Sequence, residues 1–289
     1  MDKRDALLVL YTFASFAVGG FIGERYSWNW TLVMLSAGIA FGALSLLVYA
    51  RRLMFIAAAS PHAGFFAAMV SVPLAYTLGG PVDGWMTAIA LLLVYFAAAL
   101  VYYGLDPDEA TSVFVSLSAS GGVLAAYLVL TRYPAASQVW ASLVGDPLLA
   151  SKLDVLLAVS TSLVFAVLAY FTAREIVYSG LDPEDARLSG LATWAYEALI
   201  YTFIALIVVV MVRIVGFVLE HVLILLPGVI AGYSSRGLYK TLTYSIFISA
   251  DSALTGLGIA VASNTSPSAM AGLTLFTVFL IVLLARRQR

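Results

Sequence analysis

Apolar runs of about 20 residues follow one another along almost the whole chain, and a run of that length is what a helix needs to cross a bilayer. Broken at charges, Gly/Pro positions and turn clusters, they fall near 6–23, 31–50, 54–78, 85–103, 111–131, 153–173, 191–212, 214–232, 238–262 and 268–285. The longest connectors are an outer one near 132–152 and an inner one near 174–190, so no soluble domain fits between the runs. Composition agrees: 62% of the 289 residues are hydrophobic and 11% charged, where soluble domains run ~45–50% and ~25%. The fold expected is all-α, a polytopic transmembrane helical bundle of about ten spans forming one domain over 1–289 in the cell (inner) membrane. The first run is long enough to span and lacks a small-residue cleavage site, so it is read as a retained helix rather than a signal peptide. Within 191–232 only Arg213 divides one run from the next.

Basic residues supply an independent check, because cytoplasmic segments carry the excess of Lys and Arg. With the N-terminus inside, the cytoplasmic segments hold Lys3, Arg4, Arg51, Arg52, Arg174, Arg187, Arg236, Lys240, Arg286, Arg287 and Arg289, and the outer ones Arg25, Arg132, Lys152 and Arg213. That is 11 against 4 of the 15 present, and it places both termini in the cytoplasm. Tyr26, Trp28, Trp30, Trp85 and Trp140 fall near the outer boundary as interfacial anchors, and Trp194 near the inner one.

Several functions are excluded early. With no cysteine there is no disulfide, thiolate metal site or Cys nucleophile. A net charge of −1 with two His leaves no basic tract for nucleic acid and no His-rich tail. No G-x-x-x-x-G-K-[ST] loop is present, so the chain does not hydrolyse ATP by that route and is not expected to be an enzyme or to hold a prosthetic group.

Two cytoplasmic elements repeat 76 residues apart: Gly104-Leu105-Asp106-Pro107-Asp108-Glu109-Ala110 and Gly180-Leu181-Asp182-Pro183-Glu184-Asp185-Ala186. In each, Gly ends a helix, Asp caps the next, Pro takes its first position and carboxylates favour the positive end of the dipole. The second continues through Arg187 to Ser189-Gly190 as a short exposed helix, which serves equally as a connector or as a docking feature for a partner.

An ionisable side chain near the bilayer centre costs roughly 2.5–3.5 kcal/mol on insertion scales and marks a candidate site. His62, Glu197, Glu220, His221 and Asp251 qualify. His62 follows Ser60-Pro61, where a proline frees backbone carbonyls. Glu220 and His221 point about 100° apart, so only one of them is expected to line a narrow path. Pro227 makes a broken helix credible there, and Arg213, seven residues before Glu220, could instead neutralise the carboxylate. Ser118-Ala119-Ser120-Gly121-Gly122 invites comparison with intramembrane serine proteases, though such spacing more commonly serves helix packing.

From about 31 to 287, the chain resembles the integral-membrane subunit of ABC-type zinc/manganese/iron importers, leaving 1–30 as an extra N-terminal helix outside a permease-like core. Tyr49-Ala50-Arg51-Arg52-Leu53 with Ser60-Pro61-His62-Ala63 is similar to that family's Leu-Arg-Arg stretch and D-x-x-S-H-A motif. Ser142-Leu143-Val144-Gly145-Asp146-Pro147-Leu148-Leu149 is similar to its outer L-F-G segment. Leu181-Asp182-Pro183-Glu184-Asp185-Ala186-Arg187 resembles its F-D-P-E-x-A-R coupling region, and Arg213-Ile214-Val215-Gly216 through Pro227-Gly228-Val229-Ile230-Ala231 its K-V-V-G and L-L-P-A-A-T-A run.

The resemblance implies a homodimeric permease importing a divalent metal, zinc or manganese. A separate cytoplasmic ABC ATPase would dock at Leu181, Asp182, Pro183, Glu184, Asp185 and Arg187, and an extracytoplasmic binding protein would deliver the ion. His62, Glu220, His221 and Asp251 are the expected path, with His62 and Glu220 as metal ligands. The acidic residue expected four positions before His62 is Ala58 here, which removes an oxygen ligand that Glu220 would replace from another helix. The competing reading is an ion-coupled secondary transporter using Glu197, Glu220 and Asp251.

Overall fold

The structure is a computed structural model that describes residues 3–145 and 147–287; Asp146 and Arg289, both singled out above, lie outside them. The described residues form eleven α-helices and one 3₁₀ turn, with no strand. In chain order they are α1 (Lys3–Arg25), α2 (Trp28–Ala50), α3 (Met54–Leu78), α4 (Val82–Tyr102), α5 (Pro107–Arg132), α6 (Ala136–Val144), the turn Pro147–Leu149, α7 (Lys152–Leu181), α8 (Pro183–Leu188), α9 (Thr193–Ser234), α10 (Leu238–Ser263) and α11 (Pro267–Arg287).

Local chemistry places the boundaries. The Ser27 hydroxyl accepts from the Asn29 amide at 3.2 Å to start α2, and Ser151 and Asp154 form a reciprocal capping box at the start of α7, 2.9 and 3.2 Å. Pro107 and Pro183 each open a helix behind an aspartate, as the repeated element predicts.

Among the described residues nine helices are long and apolar enough to cross a membrane, and α9, at 42 residues, is one of them. A straight helix of that length would extend about 63 Å at 1.5 Å per residue, yet both ends of α9 touch the same end of α2. Near its start Glu197 bonds Arg51 at 2.6 Å; near its end, a Cβ on Gly232 would stand 2.7 Å from the Tyr49 ring. The helix therefore doubles back, at Gly216, whose φ of 79° and ψ of 155° are not helical. Residues 193–215 and 217–234 are antiparallel, which restores the ten apolar segments expected from sequence but moves the division from Arg213 to Gly216. Arg213 stays helical because its charge is met from the side, by Asp83 at the start of α4, 2.7 Å away.

Ten segments put both termini on one face, and direct contacts do the same. Arg4 Nη1 donates to the Ser234 carbonyl at 3.0 Å, and the Arg286 guanidinium lies over the Tyr233 ring, 4.6 Å from its centroid. The helix α8 is on that face too, since Arg51 reaches the Ile176 carbonyl near the end of α7.

The middle of the bundle is α2, apolar all round and flanked by α7, α9 and α10, as a fully buried helix should be. Gly38 and Gly42 let α10 approach so closely that a Cβ at either would meet its backbone, at 2.5 Å from Ala250 Cα and 2.7 Å from Ile246 Cα. The peripheral α1 is fastened to α10 through Asp251, whose carboxylate accepts from Thr12 at 2.7 Å and Ser15 at 2.6 Å.

Candidate functional site

Pro61 sits inside α3 and has no N–H for the Ala57 carbonyl. The Ser60 hydroxyl takes over that duty, donating to the Ala57 carbonyl at 2.7 Å, so the helix continues through the proline and carries His62 into the bundle. Two residues on, Gly64 admits Val208 of α9, where a Cβ would stand 2.5 Å from Val208 Cγ1.

The second half of α9 brings His221 to the same place. Its ring centroid lies 5.3 Å from that of His62, with the planes at 84°. Phe217, one turn earlier on the same helix, packs edge-on against both imidazoles, 4.8 Å from His62 and 4.5 Å from His221. His221 Nδ1 lies 2.8 Å from the Phe217 carbonyl, an acceptor only, so Nδ1–H is the donor in that bond, and the Ala58 backbone is a second hydrogen-bond partner of the ring. The backbone bonds fix the orientation of the ring.

Of the four residues expected on a path, the structure joins His62 and His221. Glu220 is completely buried and neither of its oxygens has a hydrogen-bond partner. The suggestion that Arg213 neutralises it is overturned, because Arg213 is held by Asp83. Asp251 is also fully buried, but its carboxylate is engaged by Thr12 and Ser15 in the α1–α10 seam. Glu197 is paired with Arg51. Among the described residues no group of three or more His, Asp or Glu side chains is placed to hold one metal ion, and the ring that meets His62 is that of His221. Ser120 is exposed on α5, and the adjacent Gly121 and Gly122 receive Phe66 and Phe65 of α3, which makes that stretch a packing surface.

Above the imidazoles the α9 reversal is wedged against the segment after α6. Gly145 (φ 66°) and Gly216 (φ 79°) meet backbone to backbone: a Cβ on Gly145 would stand 2.2 Å from the Gly216 amide nitrogen, and one on Gly216 2.4 Å from that of Gly145. The following turn is tied to α2 by Trp30 Nε1, which donates to the Leu148 carbonyl at 2.9 Å. At the opposite face, α8 is capped by Asp182, whose Oδ1 accepts from the Asp185 amide at 3.0 Å, and is fastened by Tyr178, which donates to Asp185. Glu184 and Arg187 are exposed, as are Leu181 (62%) and Leu188 (87%), so α8 offers both charge and apolar surface. Phe217 escaped the sequence reading, and Gly145 and Gly216 entered it only as members of motifs, without the contact between them; a Gly five residues before an intramembrane His was the available signal.

The sequence profile of the ABC 3 transport family matches residues 26–286. A curated relative from Thermotoga maritima, named "Probable metal transport system membrane protein", is 29% identical over 245 residues, 84% of this chain and 83% of the relative. "Manganese transport system membrane protein MntC" of Halalkalibacterium halodurans is 20% identical over 265 residues, 90% of this chain and 88% of that protein. Among solved structures, PsaBC from Streptococcus pneumoniae in complex with a Fab contains a chain with the same fold, TM-score 0.79 at 18% identity, covering 92% of this chain and 95% of that one.

Proposed function

The chain belongs to the ABC 3 transport family, and from that premise we propose that it is the membrane-spanning permease subunit of an importer for a divalent metal ion. Two copies form the path, a separate cytoplasmic ATPase binds at α8, and an external binding protein delivers the ion to the face that holds the Gly145–Gly216 contact. The observation that carries the reading is the imidazole pair, two nitrogen ligands on helices that come from distant parts of the sequence. Two ligands without a closed cage suit an ion that must leave again. The names of the two curated relatives support a metal as cargo. With Ala58 where a carboxylate would stand, the donor set is richer in nitrogen than in oxygen, which favours zinc over manganese.

Family membership favours ATP-driven transport over the ion-coupled alternative, and the engagement of Glu197 and Asp251 by protein partners weighs against the latter as well. The test is metal uptake by proteoliposomes holding the permease and its ATPase. His62→Ala and His221→Ala should each abolish uptake while the ATPase remains bound and thermal stability is unchanged. Zinc should compete out manganese, and undiminished uptake in the double variant His62→Ala, His221→Ala would reject the imidazole path.

A further inference from the structure

A single buried guanidinium joins the two segments that flank α8. Arg51, just past the end of α2, is 8% exposed. Its Nη1 donates to the Ile176 carbonyl at 2.8 Å and to the Ser179 hydroxyl at 3.1 Å, both near the end of α7. Its Nη2 donates to Glu197 at 2.6 Å, in the first turns of α9. Ser179 is fixed as the acceptor because its own hydroxyl proton goes to the Ile176 carbonyl, at 3.1 Å. Between these attachments α8 is held from its flanks: of residues 183–188 only Ala186 is buried, and the side-chain bond to Asp185 comes from Tyr178 of α7. Its position is therefore set by its flanks, and both flanks end on Arg51.

The guanidinium reaches them through a gap left by Gly180, where a Cβ would stand 2.0 Å from Arg51 Nε and 2.3 Å from its Cδ. The same residue leads to both imidazoles. After Arg51 the chain turns through Arg52, at φ 58°, directly into α3, which carries His62. Glu197 stands at the start of the helix that reverses at Gly216 and presents His221. A rigid body pulled at α8 has these two routes to the pair.

We propose that Arg51 is the joint through which displacement of α8 shifts α3 against α9 and so changes the His62–His221 separation. It is a positioning residue that touches no ion, and the proposal rests on the reading of α8 as the ATPase docking element. A planar fork is required: three bonds leave it in fixed directions toward a carbonyl, a hydroxyl and a carboxylate, which a lysine ammonium on a flexible stem does not reproduce.

The experiment uses the permease co-purified with its ATPase and reconstituted in liposomes, reading three quantities: ATPase retained, ATP hydrolysed, and zinc transported per ATP. Arg51→Lys and Gly180→Ala should each keep the ATPase bound and lower zinc per ATP by roughly three- to thirtyfold, the range over which residues in a coupling network act. A merely structural role would reduce the active fraction and leave that ratio unchanged. Because both substitutions break one joint, the double variant should be no worse than the more severe single one. If Gly180→Ala fails to fold, Glu197→Gln replaces it in the cycle. A wild-type ratio in the single variants, or a double-variant loss equal to the product of the singles, overturns the joint. The docking reading fails separately, if the variant carrying both Glu184→Lys and Asp185→Lys retains the ATPase.

Discussion

Two carboxylates inside the bundle are equally buried and oppositely served. Asp251 accepts hydrogen bonds from Thr12 and Ser15, whereas neither oxygen of Glu220 has a partner. Hydrogen bonds to a charged group contribute about 1.5–3 kcal/mol each, while a buried polar group left without a partner costs about 1–3 kcal/mol that an apolar residue of similar shape does not incur. Asp251→Ala should therefore lower the thermal midpoint in detergent, and Glu220→Met should leave it equal or higher. Zinc uptake should fall in Glu220→Met if the carboxylate meets the passing ion, which makes Glu220 a functional rather than a structural residue. A midpoint lowered as far by Glu220→Met as by Asp251→Ala would show that Glu220 has a structural partner. Both residues were visible in the sequence by one rule, charge within an apolar run. What the rule could not supply was the facing helix, because the hydroxyls that engage Asp251 are more than 230 positions away.

At the scale of elements, the α9 hairpin is where sequence pattern was least informative. Helical periodicity correctly says that Glu220 and His221 diverge, but which of them meets His62 depends on how residues 217–234 are rotated, and the reversal at Gly216 sets that rotation. Charge suggested Arg213 as the divider because an arginine in an apolar run looks like a boundary; Asp83 removes that need. The actual boundary demands a positive φ, and glycine adopts it without a penalty. For Gly216→Ala the backbone conformation alone costs about 1–3 kcal/mol, and the added methyl would stand 2.4 Å from the Gly145 amide nitrogen. The variant should be clearly less stable than wild type and inactive in uptake, since the strain lies five residues from His221. Gly145→Ala should behave alike, because its methyl meets the same contact from the other side. Wild-type stability and uptake in both would mean that the hairpin and the segment after α6 are not held together.

Across the whole molecule, span positions were legible because bilayer thickness imposes them: the run 54–78 coincides with α3, and the others differ by a few residues except where α7 continues past its apolar run to Leu181. Sidedness is a further step, since contacts fix only which segments share a face. Arg4, Arg286, the end of α9 and, through Arg51, α8 are on one side together. The 11-to-4 distribution of basic residues predicts that this side is the cytoplasmic one. The chain has no cysteine, so single cysteines report without background. Ser137 and Ser189 are both exposed and lie in the two longest connectors, on opposite faces of the bundle, whereas Ser179, 1% exposed and bonded to Arg51, would be a poor reporter. In intact cells an impermeant maleimide should modify Ser137→Cys, and should reach Ser189→Cys only after permeabilisation. The reverse pattern would invert the molecule and place α8 beyond reach of any cytoplasmic ATPase. Labelling of both from outside would instead require an even number of crossings between them, contrary to α7 crossing once as one helix from Lys152 to Leu181.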